Sequence, residues 1–335
     1  MLDFSASINP LGPPRSARGA FLRSWSELAR YPDPYGEKLK AALGERHGMN
    51  SAEILLGNGS TQLIYLLCAA LRPRAALIVA PAFSEYANAL ALSGASARTH
   101  APAAADGFHF SLDSFFAAWD KDCDLVFLAH PNSVTGRLLE PRALEAIAAA
   151  ALARKTPVVI DEAFIDFIED ASAKRLVRDH PYFLVLRSLT KFYGIPGLRL
   201  GYLLGDARRI AQLAHHQQPW AVGGPALSVA LACLSDAGFA AKTGRWLEGE
   251  RNFLWQRIGS LKEFSPLASQ ANFLLVRIER AGADARALQK FLARRKILVR
   301  TCRSFGLGAN YFRIAVRRRS ENRRLIAALG DWSRS

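Results

Sequence analysis

The chain has 335 residues, half of them apolar, which is enough to bury a large core in one big domain or two lobes. Lys and Arg outnumber Asp and Glu by 44 to 29, a net charge of +15, but no helix-turn-helix, zinc-finger or aromatic RNA-binding signature accompanies the dense run Arg317, Arg318 and Arg319. Nucleic-acid binding is therefore not expected, whereas a basic surface suits an anionic small molecule. No apolar run reaches the roughly 18 residues of a membrane span, and no basic, apolar, small-residue signal pattern opens the chain, so no membrane contact and a cytoplasmic location are expected. Cys68, Cys123, Cys233 and Cys302 are scattered without a CxxC pair, so neither a zinc site nor a disulfide framework is indicated.

In chain order, residues 1–25 carry early Pro and Gly and read as an arm rather than a packed element. A strand at 54–56 runs into GNGST (57–61), which opens an apolar helix over 62–71. Strands at 75–80, 124–129, 157–161, 182–187 and 200–204 then alternate with helical stretches that include 84–92 and 141–154. Such alternation indicates parallel strands linked by crossover helices, with ligands bound beyond the carboxyl ends of the strands. After Gln218, Pro219 and Trp220 the pattern changes to helices at 225–236 and 239–261, an alternating run at 272–278 and a helix at 284–294. Strands at 297–300 and 311–316 and a last helix complete the chain. The expected fold class is α/β: an arm (1–25), a large domain (26–218) with a mostly parallel sheet, and a smaller α+β C-terminal domain (219–335).

The most informative segment is SLTKFYGIPGLRLG, residues 188–201. Ser188 and Thr190 stand three and one residues before Lys191, and Arg199 follows eight residues after it across a Gly-Ile-Pro-Gly turn. This spacing suits pyridoxal 5'-phosphate: hydroxyls and a guanidinium for the phosphate, and an amine that forms a Schiff base with the aldehyde. Thirty residues upstream the apolar run PVVI ends in Asp161. A carboxylate there keeps a pyridine nitrogen protonated and strengthens the ring as an electron sink. Alone, an aspartate at a strand end serves equally well as a cap; beside the lysine segment the catalytic reading prevails. The GNGST turn is either an ordinary serine N-cap or an anion site of free backbone N–H groups.

These motifs, together with DFSASINPLG (3–12), PAFSEY (81–86), HPNSVTG (130–136), DEAFIDF (161–167) and YFRIAVR (311–317), resemble the fold-type I pyridoxal-phosphate enzymes. Within that family the likeness is to the branch holding histidinol-phosphate aminotransferases and the threonine-phosphate decarboxylases of cobalamin synthesis. The resemblance implies an aminotransferase-like large domain and a phosphate grip by Gly59, Ser60 and Thr61. It further implies that Phe83 stacks on the pyridine and that Asn132 bonds the cofactor's phenolic oxygen. Ser133 and Val134 depart from the PNNPTG form of that loop, and Phe164 stands where many aminotransferases have a tyrosine that bonds the cofactor. Tyr31 matches a tyrosine that reaches the phosphate of the neighbouring subunit, which implies a homodimer with a shared site. Arg313 matches the arginine that pairs with the substrate carboxylate, Arg300 is a second anion contact, and Ser7, Asn9 and Asn272 match positions near the substrate.

The cofactor permits several reactions, and the choice depends on which Cα bond is held perpendicular to the ring. The resemblance favours decarboxylation of a phosphorylated amino acid, L-threonine O-3-phosphate. A histidinol-phosphate aminotransferase, which would also accept glutamate, is the alternative, and a cofactor-binding regulator without turnover is a minor one.

Overall fold

A computed structural model describes residues 1–282 and 284–334. The chain opens with β1 (Leu2–Asp3), α1 (Arg15–Ser24) and α2 (Glu37–His47). It then alternates through β2 (Ile54–Asn58), α3 (Gly59–Leu71), β3 (Ala75–Val79), α4 (Ser84–Leu92), β4 (Ser96–His100), α5 (Leu112–Ala118), β5 (Leu125–Ala129) and α6 (Pro141–Arg154). Next come β6 (Val158–Glu162), β7 (Phe183–Ser188), α7 (Leu189–Phe192), β8 (Leu200–Leu204) and α8 (Ala207–Ala214). The remainder is α9 (Gly224–Leu234), α10 (Ala237–Gly259), β9 (Phe264–Pro266), β10 (Phe273–Ile278), α11 (Ala285–Arg294), β11 (Ile297–Leu298), β12 (Arg300–Thr301), β13 (Tyr311–Ala315) and α12 (Arg319–Arg334).

Seven strands form the main sheet in the order β2-β8-β7-β6-β5-β3-β4. Their apolar runs are buried on both faces, as expected where helices cover both sides. Side chains alternate cleanly. Val158, Ile160, Phe183 and Val185 join the core beneath α6 and α9. Val159, Leu184 and Leu186 join the one beneath α3 and α4.

Several expectations change. The strand expected to continue the parallel set, β8, is antiparallel to both β7 and β2, because only residues 189–199 separate it from β7 and no crossover helix intervenes. Residues 15–24 of the expected arm form α1, whose small Ala17 and Ala20 bury against the first core. Helix α9, expected with the second lobe, also buries Ala226, Val229, Ala230 and Cys233 in that first core. The edge strand β4 (SARTH) escapes sequence reading because it is short, polar and largely exposed.

The second lobe holds an antiparallel sheet, β12-β13-β10-β9, backed by α10, α11 and α12 around a separate core. The expected strand over 297–300 divides: β11 pairs in parallel with β1, and β12 pairs with β13. Through β11 the first residues of the chain are tied to the second lobe and run past the junction of the two sheets. Among the described residues no single helix is long and apolar enough to cross a membrane.

Candidate active site

The carboxyl ends of β2, β3, β5, β6 and β7 and the start of the antiparallel β8 lie along one edge of the main sheet. There a cavity of about 340 Å³ opens between the sheet edge, residues 5–7, and the loops and strands of the second lobe. Lys191, Asp161, Ser188, Thr190, Arg199, Gly59, Ser60, Thr61, Phe83, Phe164, Ser7, Arg300 and Arg313 all line it.

At one end, helix α3 begins at Gly59, and its N-cap Asn58 makes no side-chain capping bond. The first N–H groups of the helix are therefore open to an anion, and Ser60 is not a cap. Gly59 sits at φ +77°, and a Cβ there would collide with the Arg199 guanidinium, which crosses directly over it. Arg199 itself occupies the left-handed region at φ +52°, a backbone conformation that side chains other than Gly rarely adopt outside tight turns. The Ser188 and Thr190 hydroxyls, both buried, hydrogen-bond each other at 2.8 Å beside this end.

Deeper in, the buried carboxylate of Asp161 accepts a hydrogen bond on Oδ1 from the Ala163 amide (2.9 Å) and on Oδ2 from the Tyr86 hydroxyl (2.5 Å). Burial pushes its pKa up, opposed by these two donors and by Lys191. Lys191 lies on the short α7, and burial, with the Arg313 and Arg199 guanidiniums adding to it, pushes its amine below the ordinary lysine value. A deprotonated amine is thus more accessible here than on the surface.

The far end is arginine-rich. Arg300 and Arg313 are direct cross-strand partners on β12 and β13. Arg313 donates to the Ser133 carbonyl and lies over the rings of Phe273 (4.8 Å) and Phe305 (5.4 Å). Burial, with Arg300 contributing, pushes its pKa down to about 10. Arg300 is exposed and donates to Ser304 Oγ at 3.1 Å. Phe164 meets Phe273 edge-on at 5.0 Å, where a tyrosine would have carried a phenol.

Four expected residues are placed elsewhere. Asn132 does not line this cavity: its Oδ1 accepts from the Val134 and Thr135 amides and its Nδ2 donates to the Pro81 carbonyl, so it shapes the loop. Asn9 donates to the Phe192 carbonyl and Thr243 and accepts from the Leu11 amide, while its own N–H donates to the Lys191 carbonyl. It clamps the backbone of the lysine helix. Asn272 donates to the Ser7 carbonyl and anchors the N-terminal segment. Tyr31 is 85% exposed and packs against Trp220 at 5.0 Å, outside the cavity of its own chain. Conversely, Ser5, Phe305 and, through Asp161, Tyr86 belong to the cavity although the sequence pattern did not single them out, and Ser133, noted only as a departure in its loop, lines it too. Tyr86 stands in the first turn of helix α4, three residues after Phe83, which caps that helix in an extended conformation.

Three polar atoms buried in the cavity wall, Ser7 Oγ, Ser133 Oγ and Arg313 Nε, have no hydrogen-bond partner. Native chains seldom leave such atoms unmatched unless a ligand or water completes them. The donor set fits pyridoxal phosphate. The phosphate matches the α3 N-terminus with Ser60, Thr61, Ser188, Thr190 and Arg199, the ring nitrogen matches Asp161, and the aldehyde matches Lys191.

A family model described as aminotransferase class I and II matches residues 1–329. The chain is 40% identical over 332 residues to a threonine-phosphate decarboxylase of Salmonella typhimurium, covering 98% of this chain and 90% of that protein. It is 34% identical over 335 residues to histidinol-phosphate aminotransferase 1 of Cupriavidus pinatubonensis, covering 98% and 87%. The crystal structure of a histidinol-phosphate aminotransferase from Clostridium acetobutylicum superimposes with a TM-score of 0.93 at 26% identity, over 100% of this chain and 99% of that one. With its sheet order, its lysine at the carboxyl edge and its full-length match, the chain belongs to the aminotransferase class I and II family.

Proposed function

We propose that this chain is a pyridoxal-phosphate-dependent carboxy-lyase that converts L-threonine O-3-phosphate into (R)-1-aminopropan-2-ol O-phosphate and CO2, for the side chain of cobalamin. The observation that carries the reading is the arginine pair. Two guanidiniums directly opposite on neighbouring strands repel each other, and Arg313 is in addition largely stripped of water. Such an arrangement suits a ligand with two anionic groups, and a phosphorylated amino acid has a carboxylate and a phosphate. Arg313 meets the carboxylate, and Arg300, nearer solvent, is the second anion contact.

When bound, pyridoxal phosphate supplies an electron sink for the bond broken at Cα. The chain's residues do the rest. Asp161 holds a negative charge at the ring nitrogen, and Ser60, Thr61, Ser188, Thr190 and Arg199 fix the phosphate. Arg313 would hold the substrate carboxylate, and the orientation it imposes would select the Cα–carboxylate bond rather than the Cα–H bond for cleavage. Residues 5–7, with Ser7 held by Asn272, form part of the cavity wall. Lys191 Nζ carries the proton that replaces CO2 on Cα.

Decarboxylation is preferred to transamination because identity to the Salmonella decarboxylase, 40%, exceeds the 37% and 34% to histidinol-phosphate aminotransferases of Ralstonia nicotianae and Cupriavidus pinatubonensis, each over 98% of the chain. The same reading places the enzyme in the cytoplasm as a homodimer in which Tyr31 reaches the phosphate end of the partner's cavity. Its support is the exposure of Tyr31, with Trp25 and Leu28 exposed close by in the sequence.

The test is product analysis of purified, cofactor-loaded protein. One reaction holds O-phospho-L-threonine alone, and a second holds histidinol phosphate with 2-oxoglutarate. CO2 and aminopropanol phosphate in the first, with little glutamate in the second, are expected. Glutamate in the second with no CO2 in the first makes the protein a histidinol-phosphate aminotransferase.

A further inference from the structure

Of the four buried carboxylates among the described residues, Asp161, Glu162, Asp166 and Glu250, Asp161 alone has no salt bridge, and its nearest strong donor is the Tyr86 hydroxyl. Tyr86 is itself fully buried. Its ring lies flat on Phe127, with centroids 5.0 Å apart and planes 3° apart, and Phe83 meets it edge-on at 6.0 Å. Phe127 projects from β5 and Phe83 directly precedes α4, so the phenol is held from the strand next to β6 and from its own helix. Burial and the Asp161 charge push the phenol's pKa well above the ordinary value, so the hydroxyl keeps its proton and donates it. With Ala163 on one oxygen and Tyr86 on the other, the carboxylate cannot rotate freely, and each oxygen retains a lone pair for a third donor.

The other groups around Asp161 do not replace this contact. From β5, His130 follows the backbone partner Ala129; burial keeps its imidazole neutral, with Nδ1 accepting from the Leu139 amide and Nε2 donating to the Ala171 carbonyl. From β7, the Ser188 hydroxyl is engaged with Thr190. Lys191 favours the charged carboxylate by its own charge. It is also the amine that would join the cofactor's aldehyde, so it is not a lasting counter-ion. Against the cost of burying a carboxylate, the directed donors are the Tyr86 hydroxyl and one backbone amide.

We propose that Tyr86 is a positioning residue for the cofactor: its hydroxyl holds the Asp161 carboxylate ionised and oriented, so that the ring nitrogen of bound pyridoxal phosphate keeps its proton. This rests on the reading of the cavity as a pyridoxal-phosphate site. Tyr86 touches neither substrate nor cofactor and acts through Asp161. A charged acceptor losing its hydroxyl donor in a buried site is a substantial effect, on the order of a tenfold change in the equilibrium it supports.

The experiment uses wild-type protein and Tyr86→Phe, each reconstituted with pyridoxal phosphate labelled with nitrogen-15 in the ring. Phenylalanine keeps the stack on Phe127 and deletes one oxygen atom. In the wild type the ring-nitrogen resonance at neutral pH is expected at the protonated position; in Tyr86→Phe it moves toward the deprotonated one. Cofactor dissociation becomes about tenfold easier and kcat falls at least tenfold, with KM for the substrate little changed. Tyr86→Phe in an Asp161→Asn background is expected to add no further shift, because the two act through one contact. Phe127→Leu loosens the stack without touching the hydroxyl and separates packing from hydrogen bonding; it is expected to leave the resonance in place. A Tyr86→Phe resonance and cofactor affinity equal to wild type, or an equal shift in Phe127→Leu, overturns the role of the hydroxyl while leaving the cavity reading intact. Wild-type protein that retains no pyridoxal phosphate overturns both.

Discussion

Strands β6 and β7 end in Asp161-Glu162 and Arg187-Ser188, and strand alternation sends one member of each pair to each face of the sheet. Asp161 and Ser188 line the cavity, while Glu162 and Arg187, direct neighbours in the register, turn to the opposite side. There the charges complete one another. Arg187 donates to Glu162 (3.2 Å), Asp166 (3.1 Å) and Glu169, and Lys174 donates to Glu169 (2.5 Å). Glu162 also accepts from Ser172 Oγ and the Ala173 amide. His47, which burial pushes down to about 3 and so keeps neutral, accepts from Lys174 and donates to the Tyr202 hydroxyl. This cluster has two unmatched atoms, Arg187 Nε and Asp166 Oδ2, but each of its charges has an opposite one within reach. On the cavity face Arg300 and Arg313 face each other and donate to neutral oxygens. Charge paired within the chain holds the strand ends in register, and charge left unpaired is available to a ligand.

The largest test of that contrast compares two arginines. Arg187→Met leaves the buried Glu162 and Asp166 and the half-buried Glu169 with too little positive charge and is expected to cost about 3–5 kcal/mol in urea unfolding. Arg313→Met removes a dehydrated cation that has no carboxylate partner, so its stability is expected to change by about 1 kcal/mol or less, while kcat/KM falls by about a hundredfold or more. Equal stability losses in the two variants would break the distinction between the faces.

A pH series sharpens it. Burial, against the pull of Arg187, raises Glu162 to about 7, above its ordinary 4.5. The folded chain therefore keeps a proton that the unfolded chain releases, and this residue makes stability decline as pH rises from about 4.5 to about 7. For Glu169 burial again acts upward, but Arg187 and Lys174 hold it at about 2; its contribution is present above about 4.5 and is lost as pH falls toward 2. Glu162→Gln is expected to flatten the decline between about pH 4.5 and pH 7 in urea midpoints and to leave the acid limb in place. A decline as steep as wild type would remove Glu162 from the account.

The smallest effect belongs to a partnerless hydroxyl on the cavity wall. Ser133→Ala deletes an atom without a hydrogen bond in the free protein. The unfolding midpoint should stay the same or rise slightly, and KM should increase several-fold. A clear loss of stability with unchanged KM would place that hydroxyl in the structural set instead.

Much of this site is legible in the chain because its signals are local. Lys191, Ser188, Thr190 and Arg199 lie within twelve consecutive residues, and the turns after β2 and β3 announce Gly59 to Thr61 and Phe83. The buried strands are legible for the same reason, since each is a short apolar run between turn residues. The three asparagines, Asn9, Asn132 and Asn272, illustrate the opposite case. Nothing in their local sequence says whether an amide will meet a ligand or the backbone, and here all three bind backbone carbonyls.

By itself, then, the sequence determined the class of fold and placed the lysine, the acid and the turn that opens α3 at one end of the sheet, because spacing within a strand end or a helix start is fixed by local geometry. Only the tertiary structure decided that β8 runs antiparallel, that α1 packs on the first core, that Arg300 stands opposite Arg313, and that Tyr86 reaches Asp161 from 75 residues away. Those features depend on which strands become neighbours and on their register, and a contact between distant segments leaves no mark in the residues beside it.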